Sequence, residues 1–217
     1  MKDWSKFSFI DLFAGIGGIR LGFESVGGEC IFSSEFDEDA CRTYEANFGE
    51  HPAGDITKID AEDIPNFDIL LGGFPCQGFS LSGPRKIDDS RNVLYKHYVK
   101  LVRQNKPLAF VGENVKGLLT MGGGQIIDAI IADFAECGYD VYYRLVNAKN
   151  FGVPQDRERV IIVGFRKDLN VQDFELPDTW NGKVKDFFLY CLFKFGFIVI
   201  SEDDTHGQYF QPCALAG

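Results

Sequence analysis

The chain has no pair of cysteines at C-x-x-C spacing, and its three histidines are scattered. A structural zinc site is therefore not expected, and no metal is assigned. No apolar stretch of about 18 residues occurs, so no membrane-spanning helix is predicted and no membrane partner is expected. The opening residues, Met1-Lys2-Asp3-Trp4-Ser5-Lys6, lack the apolar run of an export signal. The expectation is a cytoplasmic chain whose six cysteines stay reduced. There is no internal repeat and no low-complexity tract. Excess positive charge is also missing. Lys and Arg number 22 against 32 Asp and Glu, a net charge of −10, which argues against coating nucleic acid by bulk attraction.

What is present is a core. The 217 residues suit one large domain, 45% are hydrophobic, and 21 are Phe, so that core is aromatic. The positive charge that exists is concentrated. Arg85, Lys86, Arg91, Lys96, Lys100, Arg103 and Lys106 face only Asp88 and Asp89 over residues 80–106, a local excess of +5. Alone, such a cluster reads as a solvated helix face; beside a reactive residue it suits phosphate contact.

Short apolar strands alternate with helical patterns. Strands are predicted over residues 7–13, 30–34, 67–71 and 108–111, with a further one before Gly54. Helices are predicted over 19–26, 38–47, 93–104 and 125–137. The late strands 140–147 and 160–165 have no helical pattern between them and are expected to pair with each other. This alternation predicts an α/β fold with a doubly wound, mostly parallel sheet.

The first strand runs into Asp11-Leu12-Phe13-Ala14-Gly15-Ile16-Gly17-Gly18. Glycines there let backbone N–H groups come close to a ligand. The spacing is G-x-G-G rather than G-x-G-x-x-G. Glu35 ends the second strand, 20 residues after Gly15, where a carboxylate can accept from ribose hydroxyls. Phe36 is placed to stack on adenine, and Asp55 follows in Gly54-Asp55-Ile56. An adenosine-containing cofactor is implied, either nicotinamide-like or S-adenosylmethionine.

Residues 72–80 read Gly-Gly-Phe-Pro-Cys-Gln-Gly-Phe-Ser. Cys76 follows Pro75 in a stiff turn beyond a strand end, where an α/β enzyme keeps its chemistry. Burial as a small hydrophobe suits Cys30, Cys41 and Cys137 better than Cys76. Glu113 ends a further strand and is a candidate proton donor or acceptor. Arg157 and Arg159 lie on one side of a strand, suited to a base carbonyl or a phosphate. A surface ion-pair ladder with Asp156 and Glu158 is the alternative for those two arginines.

In order along the chain, the glycine turn, Glu35, Gly54-Asp55-Ile56, Pro75-Cys76-Gln77, Ser90-Arg91-Asn92-Val93-Leu94, Glu113-Asn114-Val115 and residues 155–159 resemble the DNA (cytosine-5)-methyltransferases. The resemblance covers residues 7–186 and is to the compact bacterial enzymes of restriction–modification systems. It implies methyl transfer from S-adenosylmethionine to carbon 5 of a cytosine flipped out of double-stranded DNA. Cys76 would attack carbon 6 and Glu113 would protonate N3. Arg159 would contact the cytosine carbonyl, and Arg157 the catalytic loop or a phosphate. For the cofactor it implies Phe13, Gly15, Gly17 and Gly18 along the methionine part and Glu35 at the ribose. Phe36, Ile56 and Leu94 would flank the adenine, with Asp55 at its amino group and Pro75 nearby. For DNA it implies Gln77, Ser80, Ser82, Arg85 and Arg91, on or beside a loop that closes over the duplex.

Two features of the family are missing: its target-recognition domain, and the late Gly-Asn-Ser-Val block with its terminal helix. The expected division is a catalytic domain over residues 1–186 and an atypical tail over 187–217. A second chain supplying the recognition region is a possible partner; otherwise a monomer is expected. The alternative function is a non-catalytic S-adenosylmethionine-binding remnant. A nicotinamide-dependent oxidoreductase is disfavoured by G-x-G-G and by Cys76.

Overall fold

A computed structural model of the chain describes residues 6–75, 93–172 and 174–179. Strand β1 (Phe7–Leu12) leads to helix α1 (Gly18–Glu24), then to β2 (Gly28–Ser34) and α2 (Glu38–Phe48). Next come β3 (Ile69–Gly72), α3 (Val93–Asn105), β4 (Ala109–Val115) and α4 (Gln125–Glu136), and finally β5 (Tyr139–Asn147) and β6 (Glu158–Arg166). The strands form one sheet in the order β2-β1-β3-β4-β6-β5. The first four are parallel, and β6 runs antiparallel to both β4 and β5. Among the described residues no helix is long and apolar enough to cross a membrane.

Parallel strands covered on both faces carry apolar residues at consecutive positions, and these do. Ile10, Leu70, Phe110 and Ile162 point to one face, where Tyr98 and Val102 of α3 and Ile130 and Phe134 of α4 meet them. Their neighbours Phe9, Leu71, Val111 and Ile161 point to the other face, against Phe23 of α1, Phe151 and Leu176. The phenylalanines interlock: the Phe110 and Phe134 rings lie 4.2 Å apart, and Phe9 and Phe23 lie 5.6 Å apart. Helix α2 is bounded by local chemistry. Asp37 accepts from the Ala40 N–H at 2.8 Å at its start, and Gly49 closes its end at φ 74°.

Two expectations change. The strand predicted before Gly54 does not form. Ala53 donates one bond to the Ser33 carbonyl at 2.8 Å, but Pro52 has no N–H and Gly54 turns left-handed at φ 79°, so no ladder continues. Strand β4 runs past Val111 to Val115, because β6 pairs along it as far as Val115 opposite Arg159. The late strands do pair with each other, and β6 also inserts between β5 and β4.

Candidate active site

The carboxyl ends of β1, β2, β3 and β4 share one edge of the sheet, the place where open α/β sheets bind ligands. The turn after β1 is unusual in its backbone. Phe13, Gly15 and Gly17 all take left-handed φ values of 56°, 55° and 90°. For Phe13 this is a strained state that the surrounding bonds must enforce. Ala14 donates to the Ser34 carbonyl at 3.1 Å, and Gly17 to the Ala14 carbonyl at 2.9 Å.

Glu35 ties that turn to the next one. Its Oε2 accepts from Gly15 N–H at 2.8 Å, while Oε1 accepts from Phe36 N–H at 2.8 Å and Asp37 N–H at 2.9 Å. A carboxylate has about four acceptor positions, so these three bonds leave Oε2 able to accept another. Asp55 accepts from Thr57 N–H at 3.0 Å and Thr57 Oγ1 at 2.8 Å, and these bonds hold its carboxyl below the usual range.

Phe13, Ser34, Glu35, Phe36, Gly54, Asp55, Ile56 and Leu94 line one cleft. Six of them are the residues assigned from sequence to the adenosine and methionine ends of a cofactor. Ser34 and Gly54 join them, linked by a bond from Ser34 Oγ to the Gly54 carbonyl at 2.6 Å. Neither was singled out from the sequence, although Gly54 stands in the Gly-Asp-Ile block. Gly15, Gly17 and Gly18 form the turn beside the cleft. Phe36 is 65% exposed, leaving its ring free for a ligand. Behind the turn, Asp11 is fully buried and its two carboxylate oxygens make no hydrogen bond among the described residues. Burial pushes its carboxyl up to about 7, with the Arg20 charge opposing.

A second group gathers at the end of β4. Glu113 Oε1 meets Arg159 Nε at 2.8 Å. Antiparallel pairing makes this possible, since it sets Val115 opposite Arg159 and Glu113 opposite Ile161. Burial raises the Glu113 carboxyl above its ordinary value, while Arg159 and Arg157 pull it down. Burial, and then the like charge of Arg159, lowers the Arg157 guanidinium. The ladder imagined within residues 156–159 takes another form. Asp156 pairs with Lys149 at 3.0 Å and Glu158 with Lys116 at 2.6 Å, while Arg159 crosses to Glu113.

The strand β3 side reaches the same place. A Cβ on Gly73 would lie 3.1 Å from Glu113 Oε2, so a glycine there leaves room for the carboxylate. Asn114, buried and absent from the assigned site residues, donates to the Phe74 carbonyl at 2.9 Å and accepts from Val115 N–H at 2.9 Å. It thereby ties β4 to the turn that continues through exposed Pro75. Cys76, Gln77, Ser80, Ser82, Arg85 and Arg91 lie outside the described residues. The other cysteines in view suit packing: Cys41 and Cys137 are buried, and burial raises the half-buried Cys30 thiol to about 12.

The family model for C-5 cytosine-specific DNA methylases matches residues 7–191. The chain is 51% identical over 174 residues to the type II methyltransferase M.BsuFI of Bacillus subtilis, covering 79% of this chain and 42% of that protein. It is 44% identical over 191 residues to M.HhaI of Haemophilus parahaemolyticus, covering 87% of this chain and 58% of that protein. A solved structure of a Spodoptera frugiperda DNMT2 mutant shares the fold, with a TM-score of 0.64 at 24% identity, over 81% of this chain and 55% of that one. The chain thus spans about half the length of the curated relatives it matches.

Proposed function

This chain belongs to the C-5 cytosine-specific DNA methylase family, and on that premise we propose that it carries the cofactor site and the cytosine chemistry of a DNA (cytosine-5)-methyltransferase of a restriction–modification system. The observation that carries the proposal is the Glu113–Arg159 pair at 2.8 Å, set beside Gly73 and the turn that leads to Cys76.

The cleft fits S-adenosylmethionine on its own features. Gly15 has no atom within 4 Å of where a Cβ would stand. Behind the turn, the buried Asp11 oxygens have no hydrogen-bond partner among the described residues, and Arg20 is the positive charge that opposes their burial. Phe36 presents an exposed ring to a purine. On this reading Phe13 and the glycine turn hold the methionine part, Glu35 the ribose through its remaining acceptor position, and Phe36, Asp55, Ile56 and Leu94 the adenine. When bound, S-adenosylmethionine supplies an electrophilic methyl group.

The chain's own residues do the rest. Cys76, as thiolate, adds to carbon 6 of the flipped cytosine, and the electron pair moves into the ring toward carbon 5. Glu113, whose carboxyl burial raises above its ordinary value, gives a proton to N3, so negative charge does not build up on the ring. Arg159 orients Glu113 and faces the cytosine carbonyl, and Arg157 adds positive charge beside it. Once carbon 5 is methylated, its proton passes to water, the carbon 6–sulfur bond breaks to return the thiolate, and N3 gives its proton back to Glu113. Gln77, Ser80, Ser82, Arg85 and Arg91 contact the duplex, which is the partner of this surface.

The domain division proposed is catalytic over residues 1–186 and atypical over 187–217. The half-length coverage favours a second reading for this chain taken alone: it binds the cofactor, while base reading falls to sequence outside these 217 residues, on the same or a second chain.

Covalent trapping tests the proposal. The purified chain is incubated with S-adenosylmethionine and duplex DNA carrying 5-fluorocytosine, with Cys76→Ser as control. An adduct that survives a denaturing gel and needs Cys76 is expected. Its absence from folded protein that still binds S-adenosylmethionine by isothermal titration would establish the cofactor-binding reading instead.

A further inference from the structure

The glycine turn is gripped from outside the cleft, at the far end of α2. Asn47 Nδ2 donates to the Ile16 carbonyl at 3.0 Å. The Phe48 ring lies flush on Gly17: a Cβ there would stand 2.0 Å from Phe48 Cε2. Phe48 is itself held. Its ring centroid is 4.6 Å from that of Tyr44 and 4.1 Å from the Arg20 guanidinium carbon. Arg20 is anchored in turn by Tyr44 Oη at 2.8 Å, Glu24 at 2.7 Å and the Glu50 carboxylate. The near end of α2 is tied to the same turn through Glu35, which accepts from both Asp37 and Gly15 N–H groups. The helix therefore braces the turn at both ends.

We propose that Asn47 and Phe48 are positioning residues for the cofactor: they hold the glycine turn in its binding shape before the ligand arrives. The proposal rests on the assignment of that turn to the methionine part of S-adenosylmethionine. Its physical basis is preorganisation. Glycine loses more conformational freedom on ordering than any other residue, and a turn built on Gly15 and Gly17 loses affinity if it must be ordered at the moment of binding. Neither residue is among those that line the cleft; each acts through the turn it holds.

The test compares two ligands, one with and one without the amino-acid part that the turn addresses, the second also lacking the sulfonium charge, and reads how each variant changes the ratio of their affinities. S-Adenosylmethionine carries the amino-acid part, and 5′-methylthioadenosine lacks it. Asn47→Ala and Phe48→Leu, each first shown to melt cooperatively, are titrated with both. The expected result is an affinity for S-adenosylmethionine weakened by about 2- to 10-fold, roughly the worth of one hydrogen bond. The affinity for 5′-methylthioadenosine stays within about twofold. Amide hydrogen exchange of the ligand-free variants should also be faster at Gly15 and Gly17, with β1 unchanged. Equal weakening for both ligands would show a general structural role and overturn the proposal, as would unchanged exchange at the turn. If the unaltered chain binds neither ligand, the cofactor assignment fails, and the exchange rates still decide whether the brace exists.

Discussion

Asp11 shows how a single residue can carry a cost that its own chain relieves only in part. It sits at the end of β1, fully buried, with Arg20 as the charge that opposes the effect of burial. Its carboxyl lies at about 7, against an ordinary value of 3.8. Between those two values the folded state holds a proton that the unfolded chain has released. Stability therefore falls as pH rises from about 4 to about 7 and levels off above that. Asp11→Asn removes the ionisation. In thermal melts its advantage over the natural chain should widen from pH 4.5 to pH 8. At about 1.4 kcal/mol per pKa unit, and about 2–4 °C per kcal/mol for a chain of this size, the widening should amount to at least about 5 °C. A gap that does not change with pH would show that Asp11 finds a partner. Glu113 is the useful counterpart: burial raises it as well, but Arg159 and Arg157 oppose that rise, and Arg159 fixes its carboxyl in place.

At the scale of elements, the decisive pairing is β6 against β4. It brings Arg159 to Glu113, and it depends on tight packing behind the sheet. Gly164 of β6 faces Phe110 of β4, and a Cβ added there would stand 2.0 Å from Phe110 Cε1. The ring cannot move away freely, because Phe134 and Tyr139 lie against it at 4.2 and 5.4 Å. Gly164→Ala should therefore destabilise the protein by about 1–3 kcal/mol, read from urea denaturation, through overpacking and not through backbone strain. An unchanged midpoint would mean that the β4–β6 contact yields to an added methyl group. Sequence periodicity reveals such strands but not their neighbours. Residues 140–147 and 160–165 were expected to pair together, and they do. That β6 would also reach β4, and so lengthen it to Val115, follows from the order of strands in the sheet.

For the whole molecule, the proposed cofactor supplies the most direct check on the cleft. A ligand that binds only the folded state stabilises it by about 2.7 kcal/mol at one hundred times its dissociation constant. S-Adenosylmethionine in that excess should raise the melting temperature by roughly 5–10 °C. Nicotinamide dinucleotide at equal concentration should not. The reverse result would return the cleft to the dinucleotide reading that the glycine spacing disfavours. The same scale explains the acidic net charge of −10 in a member of a DNA-modifying family. Positive charge is gathered into residues 80–106, where it stands against only two acids.

The sequence by itself determined the fold class, the glycine turn, the two carboxylates at strand ends and the family. These are local facts: a run of apolar residues, a glycine where φ must be positive, an acid at a fixed offset from a turn. Each is set by neighbours a few residues away. Tertiary structure alone decided which of these pieces meet. Glu35 was read as a ribose acceptor, and folding also makes it the tie between two turns, because its oxygens fall within reach of three backbone N–H groups. Arg159 reads from the sequence as a contact to a base carbonyl or phosphate, with an ion-pair ladder to Asp156 and Glu158 as the alternative, and the antiparallel register carries it to Glu113. Asn114 enters the sequence reading only as part of the Glu113-Asn114-Val115 block, with no role of its own, and Asn47 carries no sequence signal. Their importance lies in the carbonyls of Phe74 and Ile16, which are 40 and 31 residues away along the chain and within hydrogen-bond distance only once the sheet has closed.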